Sequence, residues 1–280
     1  MFKIVKREQL NPTVVLMEID APFVAKKAQP GQFIILRVDE DGERIPLTIA
    51  DYNREKGTVT IIFQVVGGTT IRLSQKKEGE YISDFVGPLG KPFECDGFKK
   101  VCVVGGGVGC AIAYPVAKKL HELGTEVTAI TGFKNDQLVI LEKEFTKDTD
   151  KHIKVSDDGS WGEKGLVTDA LRKLLETGEN FDEVIAIGPI VMMKYVCAVT
   201  KEFNVKTIIS MSPIMVDGTG MCGACRLTVG GETKFACVDG PDFDGHLVDF
   251  DEAMSRGSMY KEYEKKEKDH VCNLFKMEVV

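Results

Sequence analysis

The sequence predicts a multi-domain β plus α/β architecture. An antiparallel β-barrel is expected over residues 1–96, a parallel-sheet α/β domain over 97–208, and a small C-terminal loop domain over 209–250, followed by a charged helical tail at 251–280. Three observations carry this. Short β-branched runs separated by turn signals crowd the first third of the chain. From Phe98 onward, apolar strand-like runs alternate with helical periodicities, as in a parallel sheet flanked by helices. Near the C-terminus, Cys222, Cys225 and Cys237 gather in one glycine-rich run, MSPIMVDGTGMCGACRLTVGGETKFACVDG.

Taken in order, VVLMEIDA, GQFIILRVD, GTVTIIFQVVG and GEYISDFVGPLG read as strands of the first domain. Their close spacing favours antiparallel pairing. KKVCVVGGGVG is a buried strand running into glycines, and AIAYPVAKKLHELG after it has helical periodicity with Gly124 as its stop. TEVTAITG is a second strand, and KGLVTDALRKLLETG a second helix. FDEVIAIGPIVMMKYVCAVTKEF reads as strand, turn and helix, and KTIISMSPIM as the last strand of that domain. CRLTVGG and KFACVDG are short strands of the cysteine region, and YKEYEKKEKDH is a solvated helix face.

Composition narrows the function classes. A net charge of −7 and a pI near 5.3 argue against a nucleic-acid binder, which would carry a basic patch. The opening MFKIVKREQLNP lacks the apolar core of a signal peptide, and no run of about 18 apolar residues occurs. A soluble cytoplasmic protein without a membrane span is therefore expected. Without a secretory signal, the eight cysteines point to metal binding or burial rather than disulfides. Cys102, Cys110 and Cys197 lie in apolar or helical patterns and read as buried packing residues.

Five short patterns carry chemistry. In RIPLTIAD, Arg44 places a planar fork suited to a diphosphate, Pro46 stiffens the strand and Thr48 offers a hydroxyl beside a flat ring. VVGGTTIRLSQ runs Gly67 and Gly68 into Thr69, Thr70 and a short helix, which suits a phosphate or simply a capped turn. GGGVG, with Gly105, Gly106, Gly107 and Gly109, sits between a strand and a helix, the context of a dinucleotide loop. The next strand ends in Thr131 and Gly132 with no acidic residue, unlike an ordinary NAD fold; Lys134 beyond it is near enough to touch a 2′-phosphate. IGPIVMM supplies Gly188, Pro189 and Met192 as a β–α turn, and VSDDGSWGEKG supplies Asp157, Asp158 and Gly159 as an Asx turn or a ribose contact.

The fifth pattern is the cysteine run. Cys222, Cys225 and Cys237 keep the spacing of a plant-type [2Fe–2S] site, with Asp217 five residues before Cys222 where that pattern has its first cysteine. Thiolates suit iron, and glycines let the backbone wrap closely and bond to sulfur. Zinc is the competing reading, but it usually takes a second C-x-x-C knuckle or added histidines, and only His246 is nearby.

R-x-P-L-T followed about twenty residues later by G-G-T-T resembles the ferredoxin–NADP reductase superfamily. The resemblance implies that Arg44 and the Gly68–Thr70 turn hold the pyrophosphate of FAD, that Pro46, Leu47 and Thr48 line its ring, and that 105–109 and 188–192 receive NAD(H). The order of barrel, nucleotide domain and [2Fe–2S] loop covers nearly the whole chain. It is similar to the electron-transfer subunits of class B dihydroorotate dehydrogenase. It is more similar to the small-subunit family of NADH-dependent ferredoxin:NADP⁺ oxidoreductases, also called sulfide dehydrogenase subunits, because dihydroorotate relatives generally keep four cysteines. That likeness implies hydride transfer from NADH to FAD and single-electron relay through the cluster. It also implies a heterodimer with a larger flavoprotein that holds [4Fe–4S] clusters, performs electron bifurcation and alone meets ferredoxin. The charged tail would then serve in docking. A standalone NADH reductase and a zinc-stabilised nucleotide-binding module are the competing readings.

Overall fold

The protein is described by a computed structural model over residues 1–275. Its first sheet contains β1 (Phe2–Asn11), β2 (Val14–Asp20), β3 (Phe33–Arg37), β4 (Arg44–Asn53), β5 (Thr58–Gln64), β6 (Tyr81–Ile82) and β7 (Asp84–Leu89). Helices α1 (Pro22–Lys27) and α2 (Gly68–Gln75) interrupt it. The strand order is β6-β1-β2-β5-β4-β3-β7. Only Ser83 separates β6 from β7, so the two edges of the sheet come together and the barrel nearly closes. Strand alternation sorts the side chains. Ile34 and Leu36 point into the barrel core with Ile4, Met17 and Phe63, whereas Phe33 and Ile35 point out into the core of the rest of the chain.

The second sheet is built from β8 (Lys100–Gly106), β9 (Glu126–Phe133), β10 (Lys151–Ser156), β11 (Glu163–Lys164), β12 (Glu183–Ile187) and β13 (Thr207–Ser210). These strands alternate with α3 (Cys110–Glu122), α4 (Glu142–Lys147), α5 (Val167–Glu176) and α6 (Ile190–Glu202). Val101 and Val103 of β8 pack beside α3, while Cys102 and Val104 face α5 and α6. Both faces of the strand are covered, which is why it reads as a continuous apolar run. α4, β10 and β11 are not visible in the hydropathy pattern, because KHIKVS intersperses charge on an outer strand.

The cysteine region contributes β14 (Arg226–Val229), β15 (Glu232–Phe235) and β16 (Asp242–Asp244), then α7 (Phe250–Gly257) and α8 (Lys261–Phe275). The first two form a hairpin of their own. β16 instead pairs antiparallel with β13 and completes the second sheet in the order β11-β10-β9-β8-β12-β13-β16. α8 exposes most of its charged residues but buries Val271 and Cys272 against Ile71 of α2. Among the described residues, no helix is long and apolar enough to cross a membrane.

Candidate electron-transfer site

β4 carries the first group of candidates. Its Pro46 and Thr48 oppose Ile35 and Phe33 of β3, so they share the outward face of the barrel. Leu47 has the opposite parity, and its side chain packs toward the barrel core rather than the outward face. Arg44 is exposed at the start of the strand, and its Nε donates to the carbonyl oxygen of Val216 at 3.0 Å.

The Gly67–Thr70 turn stands beside this strand, since the Thr69 hydroxyl donates to Glu43 Oε2 at 3.1 Å. Thr70 Oγ1 accepts from the N–H groups of Val66 and Gly67, each at 3.0 Å, so this hydroxyl shapes the turn. The first-turn N–H groups of Gly68, Thr69 and Thr70 have no intrahelical acceptor, which suits an anion. Gly68 also lies under α8: a Cβ there would stand 2.8 Å from Glu267 Cγ. Glu267 pairs with Arg72 at 3.0 Å one turn further along α2.

The second group meets at the C-terminal edge of the parallel sheet. The chain passes from β8 outward through β9 and β10, then returns to β12 on the other side of β8. A reversal of this kind opens a crevice for a ligand. The two glycine motifs fill its walls. A Cβ on Gly106 would meet Met192 Sδ at 2.3 Å, and one on Gly109 would meet the Ile187 carbonyl oxygen at 2.5 Å. Gly105 packs on Cys110, and Gly188 on Met192 beside Pro189 at the head of α6. Gly107 alone of the four faces open space, with φ at 55°. Gly106 and Gly109 thus lock the two turns together, Gly105 packs on the start of α3, and Gly107 leaves open space.

Asp157, Asp158 and Gly159 follow β10 at the same edge. Asp157 N bonds to Phe133 O at 3.1 Å and Asp158 N to Lys134 O at 3.3 Å, so this turn lies against the end of β9. The Asp158 carboxylate accepts from the Ser160 hydroxyl at 2.6 Å and its N–H at 2.9 Å, which holds its pKa below the usual range. Trp161 packs edge-on to Phe133 and donates to Glu142, a structural placement.

The third group occupies one loop. Cys225 and Cys237 are buried, with sulfurs 3.3 Å apart. Burial, then the Cys225 neighbour, pushes the Cys237 thiol up to about 12. Cys222 is exposed, and the neighbouring backbone amides, that of Ala224 first, hold its thiol below the ordinary pKa. The Asp217 carboxylate is held below its ordinary value by the Thr219 hydroxyl at 2.5 Å and the Thr219 N–H at 2.9 Å. Cys225 and Cys237 therefore form one close pair of donors, with Cys222 and Asp217 on the exposed part of the same loop. Among the described residues, no three His, Cys, Asp or Glu side chains are grouped to hold a single ion. In a two-iron centre each iron takes two protein ligands and shares two sulfides, and the Cys225–Cys237 pair suits one such iron. The loop also abuts the barrel: a Cβ on Gly218 would meet Leu89 at 2.8 Å and Ile35 at 2.9 Å.

Two features escaped the sequence reading. One is the Arg44–Val216 contact, which spans most of the chain and has no local signal. The other is Asp242, whose Oδ2 is buried without a hydrogen-bond partner beside Gly31. Burial pushes its carboxyl up to about 7.

A barrel with an anion-binding turn, a parallel sheet with a glycine-lined switch point and a sulfur loop between them define a reductase-type electron-transfer chain. Comparison with known proteins agrees. Residues 212–249 match the iron–sulfur cluster binding domain of dihydroorotate dehydrogenase B. The chain is 49% identical over 263 residues to a dihydroorotate dehydrogenase B (NAD⁺) electron transfer subunit homologue of Thermotoga maritima, covering 94% of this chain and 93% of that one. It superposes with a TM-score of 0.92 and 46% identity on a chain of the NADH-dependent reduced ferredoxin–NADP oxidoreductase, solved in a study of flavin-based electron bifurcation, covering 96% and 97% of the two chains. A likeness to the cytochrome b5 reductase domain of Ulva prolifera nitrate reductase, at 15% identity, a TM-score of 0.58 and coverage of 72% and 92%, extends the fold alone. The chain belongs to the family of dihydroorotate dehydrogenase B electron-transfer subunits and their homologues.

Proposed function

We propose that this chain is an electron-transfer flavo-iron–sulfur subunit, moving electrons between NAD(H), FAD and a [2Fe–2S] cluster to or from a larger catalytic subunit. The particular assembly we infer is an electron-bifurcating NADH-dependent ferredoxin:NADP⁺ oxidoreductase, with this chain as one half of a heterodimer. Its partner would be a larger flavoprotein holding [4Fe–4S] clusters, through which alone ferredoxin is reached. The observation that carries the reading is the close Cys225–Cys237 pair, on the same loop as Cys222 and Asp217, seated against the outer face of β3 and β7.

When bound, the flavin would exchange hydride with NADH and the cluster would pass electrons singly. The chain's own part is alignment. Arg44 and the first-turn amides of α2 would hold the flavin diphosphate, and Pro46 and Thr48 would face its ring. Gly107 would admit the nucleotide beside Pro189 and Met192, with Asp157, Asp158 and Gly159 at its ribose. The buried Cys225 and Cys237 would hold the cluster away from water, and the exposed Cys222 would hold it near the surface, toward a partner.

The family name favours a second reading, in which the same subunit serves a dihydroorotate dehydrogenase. Asp217 in place of a fourth thiol speaks for the first. Anaerobic purification of the native complex decides between them by the chain that co-purifies. Iron, sulfide and FAD in the amounts of one cluster and one flavin per chain are expected. Zinc, or neither iron nor flavin, would refute both readings.

A further inference from the structure

Helix α2 is held at its two ends by different parts of the chain. It has eight residues, and isolated helices shorter than about 12–15 residues are marginal in water, so its direction is set by what it packs on. At its C-terminal end Leu73 is buried in the barrel core. Arg7 of β1 fastens the same end, donating to the Ser74 carbonyl oxygen from Nε at 3.2 Å and from Nη2 at 2.9 Å.

At the N-terminal end the cover is α8. Ile71 packs with Val271 and Cys272 in a small cluster separate from the barrel core, and all three are almost fully buried. Gly68 turns its open side to the same helix: a Cβ there would stand 2.8 Å from Glu267 Cγ and 3.4 Å from Val271 Cγ2. Arg72 completes the face through its ion pair with Glu267 at 3.0 Å. Gly68, Ile71 and Arg72 are three and four residues apart, so they form one stripe along α2. Thr69 and Thr70 shape the turn locally, through Glu43 and through the N–H groups of Val66 and Gly67. The apolar contact at this end of the helix is with α8.

α8 in turn hangs from α7, which is bound to the cysteine hairpin. Glu252 accepts from the Thr228 N–H at 3.1 Å. Arg256 Nη2 donates at 3.1 Å to the carbonyl oxygen of Ala224, in the turn between Cys222 and Cys225. The C-terminal tail thus runs from the cysteine loop to the turn whose free amides are assigned to the flavin diphosphate.

Resting on the functional reading above, we propose that α8 is a strap that retains the flavin, with Val271 as a positioning residue that acts through Gly68 and Ile71 on the first turn of α2. Docked, α8 keeps the amides of Gly68, Thr69 and Thr70 aimed together at the diphosphate. Released, the short helix loses the packing of its N-terminal half, and the amides lose their common direction. The Arg72–Glu267 pair is partly exposed and contributes little on its own. A contact this small opens locally without unfolding the barrel. By reciprocity, bound FAD tightens the docking of α8 by the factor that docking tightens FAD.

The test uses the full-length chain with its cluster in place. Release of FAD on dilution is followed by flavin fluorescence in the wild type, in Val271→Ala and in Val271→Asp, and bound iron is measured in each. Release is expected to quicken in that order, by about tenfold or more for Val271→Asp, with iron unchanged. Proteolytic cleavage within α8 is measured in parallel, with FAD bound and with FAD removed. FAD is expected to slow it in the wild type and to have no effect on it in Val271→Asp. Wild-type retention of FAD by Val271→Asp overturns the proposal. So does a wild-type chain whose α8 is cleaved at the same rate with FAD as without it, and this second measurement decides even where a variant fails to fold. A wild-type preparation that holds no FAD refutes the functional reading itself, which separates the two failures.

Discussion

As the proposed fourth cluster ligand, Asp217 would offer a harder donor than the thiols of its loop. Its carboxylate is already held by Thr219, so it is oriented and ionised before any metal arrives. Replacing it by alanine removes one of four ligands, and loss of most of the bound iron is expected, measured by metal analysis of anaerobic protein. Asp217→Cys is expected to retain iron and to shift the EPR signal toward that of an all-sulfur centre. Asp242 supports a prediction of a different kind. Its carboxyl has a folded pKa of about 7 against an ordinary 3.8, raised by burial. The folded state therefore binds more protons than the unfolded state between those values. Stability contributed by the neutral form is full below the lower value and is lost as pH rises toward 7. The loss amounts to up to roughly 4 kcal/mol. Asp242→Asn keeps the shape without the charge, so its denaturation midpoint should vary less with pH over this window than that of the wild type. The cysteines announced themselves through spacing. Asp242 did not, because burial of one carboxyl oxygen depends on Gly31, far away in sequence.

Among the elements, the glycine turn after β8 separates packing from binding. Gly109 lies against the backbone of Ile187 and Gly188, which cannot yield as a side chain would. Gly109→Ala is expected to destabilise the domain by roughly 1–3 kcal/mol in a chemical denaturation experiment. Gly107→Ala places a methyl in the open gap and adds about 1 kcal/mol of left-handed strain. Its main expected effect is weaker NADH binding, by about tenfold or 1.4 kcal/mol, with little change in fold. Strand–glycines–helix was legible in the sequence here, but the division of labour among the glycines was not, since it depends on how the turn at Pro189 and Met192 docks. The charged tail shows the same limit. Its polar periodicity identified a helix, while its attachment to α2 rests on Val271 and Cys272 packed against Ile71 and on the Glu267–Arg72 ion pair. Val271→Asp should cost roughly 2–3 kcal/mol of that docking. Limited proteolysis is expected to cut α8 first in this variant and to leave the barrel intact.

Across the whole molecule, the barrel and the parallel sheet follow from periodicities that single stretches carry: alternation in β3, and runs buried on both faces in β8 and β12. What single stretches do not carry is which segment closes a sheet. VDGPDFDG reads as the end of the cysteine region, yet Asp242–Asp244 forms the final strand beside β13. Two sheets also share one apolar interior, because Phe33 and Ile35 of the barrel pack with Cys225, Cys237 and Met211. Barrel and sulfur loop are thereby joined through buried side chains, and not by a flexible linker.

The return of the chain to that edge has an architectural consequence. Ser210 is paired with Asp242, and Met211 N bonds to Pro241 O at 2.9 Å, so everything between them leaves and re-enters at neighbouring points. The whole metal-binding excursion is topologically a cassette grafted into an ordinary hairpin. A short turn in its place would close the same two strands, since loop-closure cost rises only slowly with length. A two-domain flavin reductase could thus gain or shed a one-electron outlet without redrawing either sheet.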